Sequence, residues 1–448
     1  MHEWPPAERT VHAEVTAPDT HVGIHRYTFP PINAPNRNVS VLFDVCHTAS
    51  ADADPLDAKS GIMFGATASG GPTQACHAAV ITVDDQTQTF SGWVDNKGAL
   101  TERAQNGSVR VHFAAQVVAY CNSSQSFDPR SSPSVAAVGH GVWADFKLQN
   151  VPAGTSSSTV SPTNNSGSAG AFLVFPRDDT CSKNPLSVEV AVGISFIDAE
   201  HAEQSLQQSL GELGSTFPFD AARRKAQQLW RNQLSIVSIN NGSTTAMHDE
   251  AVKFYSSLYR ASLSPTVYTE KVANATKDSS GKEYMGFDGN VHQWQFPADS
   301  DYHSDMSIWD IHRTQLPWLL ISNPPRARDI ARSLVQIADD GGRIPRWPLA
   351  SVYTGCMIGD HGFSFIADAC VKGTQGMQPH STLSFRFVVT STRTFAESVI
   401  CCLLLYWQCH IRCELFESFR LHACSGIGRK RQDGLRKLVH SRLRHCRS

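Results

Sequence analysis

The spacing at which apolar residues recur changes once along this 448-residue chain, near residue 200, and that change bounds the fold. Before it, Val39–Phe43, Ala79–Val83, Ser108–Val118 and Ser187–Ile197 are rich in β-branched and aromatic residues. Val109, Val111 and Phe113 alternate with other residue types, as do Val188, Val190 and Val192, which suits strands with one buried face. Turn-forming stretches separate these runs, the longest at 152–170, so residues 11–215 predict an antiparallel β-sandwich. After the change the spacing is helical over Ala199–Leu213, Asp220–Leu234, Met247–Ser262, Ser304–Leu320, Pro325–Asp339 and Gly359–Lys372. Pro325 opens its segment and Gly341–Gly342 closes it, as an N1 proline and a C-cap glycine would. Strands followed by helices give an α+β multidomain chain: a sandwich over 1–215 and a helical domain over 216–373.

A second break follows Gly373. Of the 39 Lys and Arg and 41 Asp and Glu, residues 374–448 hold 12 and 4, so a net charge of −2 is the sum of −10 and +8. Six of the 12 cysteines lie there too: Cys401, Cys402, Cys409, Cys413, Cys424 and Cys446. No period persists in this tail, and it predicts no fold. Near-neutral charge gives no general case for nucleic acid, and the basic stretch 429–447 lacks aromatic interleaving.

The apolar run Val399–Trp407 is too short to span a membrane, and MHEWPPAERT has neither the basic nor the apolar region of a secretory signal. Asn38, Asn106, Asn122, Asn164, Asn241 and Asn274 nevertheless begin N-x-S/T sequons, which leans towards a secreted, glycosylated parent. Cys46, Cys76, Cys121 and Cys181 could pair in an oxidising compartment or remain small buried thiols.

Nucleotide, zincin and serine-hydrolase motifs are absent, as are paired C-x-x-C motifs. The densest chemical stretch is 284–373. Asp299, Asp301, Asp305 and Asp310 sit close in sequence to Trp294, Trp309, His303, His312 and Arg313. Carboxylates beside exposed indoles suit sugars: the carboxylate accepts hydroxyl protons and the ring packs on a pyranose C–H face. The plain alternative is a solvated loop, a core tryptophan and an i,i+3 ion pair between Asp310 and Arg313. Further on, Trp347 lies in a proline-flanked loop, and Asp360 and His361 open a helix, where Asp360 could serve only as a cap. The spacing of Asp360, His361 and His303 supports no particular metal geometry.

Seven strings together resemble glycoside hydrolase family 92, the calcium-dependent exo-acting α-mannosidases. They are HAEVTAPDTHVGIHRYTFP (12–30), VGISFIDAEHAEQSL (192–206), FYSSLYRASLSPTVY (254–268), YMGFDGNVH (284–292), DYHSDMSIWDIHRTQLPWL (301–319), GGRIPRWPL (341–349) and MIGDHGFSFIADACVKG (357–373). The resemblance implies a sandwich joined by helices to an (α/α)6 toroid. It also implies removal of terminal mannose from N-glycans or mannans with inversion, calcium gripping the sugar's vicinal hydroxyls.

Trp309, Asp310 and Arg313 match the family's W-D-x-x-R string, and Asp360 and His361 its M-I-G-x-H string; with Trp347 they are the expected substrate-binding residues. The family's general acid lies in an E-G-N-x-W-Q-type string and its base in a G-N-D-D-x-G-Q-M-S-A-W-type string, neither of which occurs here. The expectation is thus a chain truncated at both ends relative to the family, with an unrelated tail over 374–448. It would have no catalytic pair and bind no calcium itself. Mannose-containing glycans would be its partners, as a monomer. The alternatives are a non-catalytic glycan-binding module and a non-functional truncated product.

Overall fold

The computed structural model describes residues 10–31, 38–46, 74–98, 100–101, 103–104, 107–121, 134–145, 147–162, 168–177, 181, 184–215, 218–239, 245–272 and 281–372. The basic, cysteine-rich tail lies outside the described residues, as do the sequons other than Asn38, which is exposed just before a strand.

Eleven strands come first among the described residues. They are β1 (His12–Asp19), β2 (Val22–Phe29), β3 (Val39–Asp44), β4 (Gln74–Asp84), β5 (Thr89–Gly98), β6 (Val109–Cys121), β7 (Gly139–Ala144), β8 (Lys147–Leu148), β9 (Ser157–Val160), β10 (Ala169–Phe175) and β11 (Leu186–Ser195). They form a seven-stranded sheet, β1-β2-β11-β6-β5-β4-β9, and a four-stranded sheet, β3-β10-β7-β8, with every pairing antiparallel. Ile81, Phe90, Phe113, Val117 and Val188 of the larger sheet meet Val41, Val142, Leu173 and Phe175 of the smaller one in a common core. Two disulfides staple this region, Cys46–Cys76 and Cys121–Cys181.

Helices follow: α1 (Ala199–Leu213), α2 (Phe219–Leu234) and α3 (Thr245–Ser262). Asp198 caps α1 by accepting from the His201 amide at 2.9 Å, and left-handed Gly214 closes it. Helices α1 and α2 lay Ala202, Leu206, Phe219 and Ala222 on Val22, Ile24, Ala114 and Ala191, the outer face of the larger sheet. Strand β11 is therefore buried on both faces, not on one as its alternating valines suggested. Gly193 makes this close approach possible, since a Cβ there would run into the Ala202 carbonyl and stand 2.9 Å from the Leu206 Cβ.

The chain then runs through short strands β12 (Thr266–Val267), β13 (Glu270–Lys271), β14 (Lys282–Met285), β15 (Val291–Gln293) and β16 (His303–Ser304), helices α4 (Ile308–Ile311), α5 (Gln315–Ser322) and α6 (Pro324–Gly341), strands β17 (Pro348–Leu349) and β18 (Val352–Tyr353), and helix α7 (His361–Val371). Tyr284, Trp294, Tyr302, Ile337 and Val352 form a second core that also takes in Val109 of the sandwich. Helix α6 has proline in its first turn and left-handed Gly342 at its end, as its sequence predicts.

The single helix expected over Ser304–Leu320 is instead β16, α4 and α5. A continuous helix would have put Pro317 in its interior, where the ring meets the carbonyl four residues back and an amide hydrogen is missing. Breaking the helix at His312–Thr314 moves Pro317 into the first turn of α5, where neither penalty applies.

Candidate functional site

The break between β16 and α4 creates the site. Asp305 adopts φ +59°. Its carbonyl accepts from Ser264 Oγ at 2.7 Å, one carboxylate oxygen from the Tyr268 hydroxyl at 2.8 Å, and the other from the Ala350 amide at 2.8 Å. These bonds fix the start of α4, whose Ile308 is fully buried while Trp309 is 42% exposed and Asp310 faces solvent. Asp310 accepts from the Ser307 hydroxyl.

His312 Nδ1 lies 2.9 Å from the Trp309 carbonyl, which can only accept, so this nitrogen carries the proton. Its Nε2 then accepts from Arg313 Nε at 3.2 Å. Arg313 is held by its neighbour, and the i,i+3 ion pair with Asp310 does not form.

Helix α7 brings the second half. The His361 ring stacks on His312 with centroids 3.8 Å apart and planes 12° from parallel. Burial pushes the His361 pKa down, with His312 and Arg313 acting in the same direction, so a neutral imidazole is favoured in the stack. Gly359 (φ +81°) leaves room for this ring, since a Cβ there would stand 2.5 Å from His361 Nε2. Asp360 occupies the N-cap position of α7 but makes no capping bond. Its carboxylate is 3.7 Å from Arg346 Nε, and both side chains are about half exposed. The adjacent Trp347 is half-buried, and its carbonyl accepts from Thr354 Oγ1 at 2.7 Å.

The structure thus joins Trp309, Asp310 and Arg313 to His361 and Asp360 through the histidine stack, with Trp347 one residue from the Arg346 that meets Asp360. It separates the rest of the carboxylate-rich stretch from them. Asp301 is paired with Lys282 at 2.7 Å and accepts from Thr269 Oγ1 at 2.5 Å. Asp305 is a brace. Trp294 is 1% exposed and belongs to the core. His303 is also buried, its ring directed to the Asp301 carbonyl, and burial lowers its pKa to about 4. His312 is the residue that sequence reasoning left off the site; its place three residues after Trp309 was the available signal.

No group of three or more His, Cys, Asp or Glu side chains among the described residues is placed to hold a metal ion. Asp310 turns to Ser307 and Asp360 to Arg346, so the described residues do not fit a calcium cage. What they offer is an exposed indole, two solvent-exposed carboxylates, an imidazole pair and a guanidinium. That set suits a neutral polyol with one apolar face.

Residues 6–195 match the glycosyl hydrolase family 92 N-terminal domain, and residues 201–397 match the glycosyl hydrolase family 92 catalytic domain. The second match continues past Gly373. Among solved structures, a family GH92 α-mannosidase from Bacteroides thetaiotaomicron in complex with mannoimidazole aligns at TM-score 0.60 and 21% identity, over 85% of this chain and 40% of that one. A family GH92 inverting mannosidase from Bacteroides thetaiotaomicron VPI-5482 aligns at TM-score 0.57 and 19% identity, over 85% and 39%. The chain thus spans about two fifths of the length of these structures. An uncharacterized secreted glycosidase of Arthroderma benhamiae is 30% identical over 101 residues, 22% of this chain and 12% of that protein.

Proposed function

This chain belongs to glycosyl hydrolase family 92, and from that premise we propose that its site holds the terminal mannose of an α-mannosylated glycan. The observation that carries this reading is the cluster of Trp309, Asp310, Arg313, Asp360 and His361 around the His312–His361 stack. The Trp309 ring offers a hydrophobic face for the pyranose, and the Asp310 and Asp360 carboxylates accept its hydroxyl protons.

Inversion at a glycosidic carbon needs a general acid and a general base, roughly 6.5–9.5 Å apart with water between them. Since the 448 residues contain no string like those that carry the family's acid and base, we infer that they supply the sugar-holding side of the site and do not hydrolyse by themselves. A secretory compartment is supported by the two disulfides and by the exposed Asn38 sequon.

Calorimetry with methyl α-mannoside tests the binding half of this reading. The intact chain should bind, and Trp309→Ala and Asp310→Ala should each weaken binding by about tenfold, the equivalent of ~1.4 kcal/mol. Unchanged affinity in both variants would place the sugar elsewhere. Incubation with an α-1,2-linked mannobiose and calcium tests the other half. Release of mannose that Asp310→Ala abolishes would show that the chain carries its own acid–base pair.

A further inference from the structure

The loop between Thr354 and His361 carries Asp360 into the site, yet little holds it. Met357 is 41% and Ile358 71% exposed. Left-handed backbone recurs at Gly355 (φ +71°), Met357 (φ +63°) and Gly359 (φ +81°). Among the described residues, Met357, Ile358 and Gly359 make no hydrogen bond. The anchors are at the two ends: the Cys356 amide donates to Thr354 Oγ1 at 3.2 Å, and Asp360 faces Arg346.

A third support comes from the β-sandwich. Between β5 and β6, the Gly98 amide donates to Thr101 Oγ1 at 3.0 Å, the Ala104 amide to the Thr101 carbonyl at 3.0 Å, and the Gly107 amide to the Ala104 carbonyl at 2.8 Å. Ala104 then packs, with Val109, into the core that contains Val352 and Tyr353, the strand immediately before the site loop. This seating places the Arg103 guanidinium directly on Gly355, where a Cβ would overlap its Nη1 and Cζ atoms. Arg103 has no ion pair or hydrogen bond among the described residues, so packing on that peptide is its visible role.

From this juxtaposition we propose that Arg103 is a positioning residue of the sugar site: its planar guanidinium clamps the loop at Gly355 and so sets where Asp360 and His361 stand. Arginine suits the task because its flat, delocalised group covers a peptide plane, whereas a lysine ammonium is a point charge. Glycine at 355 answers both to its positive φ and to the space Arg103 fills. The proposal rests on the sugar-site reading for its consequence, but not for its test.

The test compares amide hydrogen exchange over 354–361 in the intact chain and in Arg103→Ala, with no sugar present. Exchange there should quicken by about tenfold in the variant, while amides of the sandwich core are unchanged. Arg103→Lys should recover only part of the protection. Gly355→Ala should also quicken exchange, and adding it to Arg103→Ala should do less than the sum, because both act through one contact. Affinity for methyl α-mannoside should fall severalfold in Arg103→Ala at an unchanged melting temperature. Unchanged exchange, or additive effects of the two substitutions, would overturn the clamp. Faster exchange with unaltered mannoside affinity would overturn its link to the sugar site. Failure of the unsubstituted chain to bind mannoside would sink the sugar-site reading and leave the exchange result to decide the clamp.

Discussion

Trp294 and Trp309 lie fifteen positions apart in one aromatic, acidic stretch and meet opposite fates. Trp294 donates from Nε1 to Ser300 Oγ at 2.8 Å and packs against Tyr284, Phe296 and Tyr302. Trp309 stands out from α4. Trp294→Ala should therefore cost about 3–5 kcal/mol in a guanidinium titration, as truncation of a buried aromatic does. Trp309→Ala should cost under about 0.5 kcal/mol. Equal losses would mean that Trp309 is a packing residue and its exposure incidental. Composition alone grouped both tryptophans with four carboxylates. Only the folded chain assigns Asp301 to Lys282, Asp305 to Tyr268 and Ala350, and Asp310 to the surface, because those partners lie 19 to 45 positions away and no local pattern encodes them.

Among the elements, most helices were legible because each carries its own signals. Helix α1 matches its expected span, and α6 has its proline and glycine where the sequence puts them. The segment that failed, 304–320, failed at Pro317, a local signal outweighed in the reading by apolar spacing.

The seam between β11, α1 and the β13–β14 hairpin was not legible. There Glu270 accepts from Ser195 Oγ at 2.5 Å and from the Phe196 amide at 2.7 Å, while His201 lies 2.8 Å from Asp198 and 3.2 Å from Glu283. Burial, resisted by those two hydrogen bonds, pushes Glu270 up to about 7 from its ordinary 4.5. For His201 burial acts downward, but Asp198, Glu270 and Glu283 prevail and raise it above 6.5.

Both groups have folded-state values above their unfolded ones, so each stabilises the fold at low pH and loses that contribution as pH rises through its folded value. For Glu270 the loss runs from about pH 4.5 to pH 7 and amounts to about 3 kcal/mol, the 2.5-unit difference multiplied by ~1.36 kcal/mol. Denaturation midpoints should thus fall from pH 5 to pH 8, and Glu270→Gln, which does not titrate and whose amide oxygen still accepts one of the two bonds, should flatten the decline. A variant profile parallel to that of the unsubstituted chain would refute this assignment.

In the whole molecule, the sandwich gains from its covalent staples. Cys46–Cys76 closes a separation of 30 residues and Cys121–Cys181 one of 60. Loop-closure entropy puts the stabilisation at about 4 kcal/mol for each. Reduction should therefore lower the sandwich's unfolding midpoint markedly. Replacing Cys46 and Cys76 with alanine should leave a chain that reductant still destabilises through the second bridge. An unaffected midpoint in reductant would show that the bridges do not form in solution.

By itself the sequence determined the order of strands before helices, the ends of helices such as α1 and α6, and the family, because apolar spacing, caps and short motifs act over a few residues. Tertiary structure alone decided which cysteines pair, that β11 is buried on both faces, and that His361 stacks on His312 beside Trp309. Each of these depends on which surfaces the chain brings together across tens or hundreds of residues, and that is settled by burial and close packing.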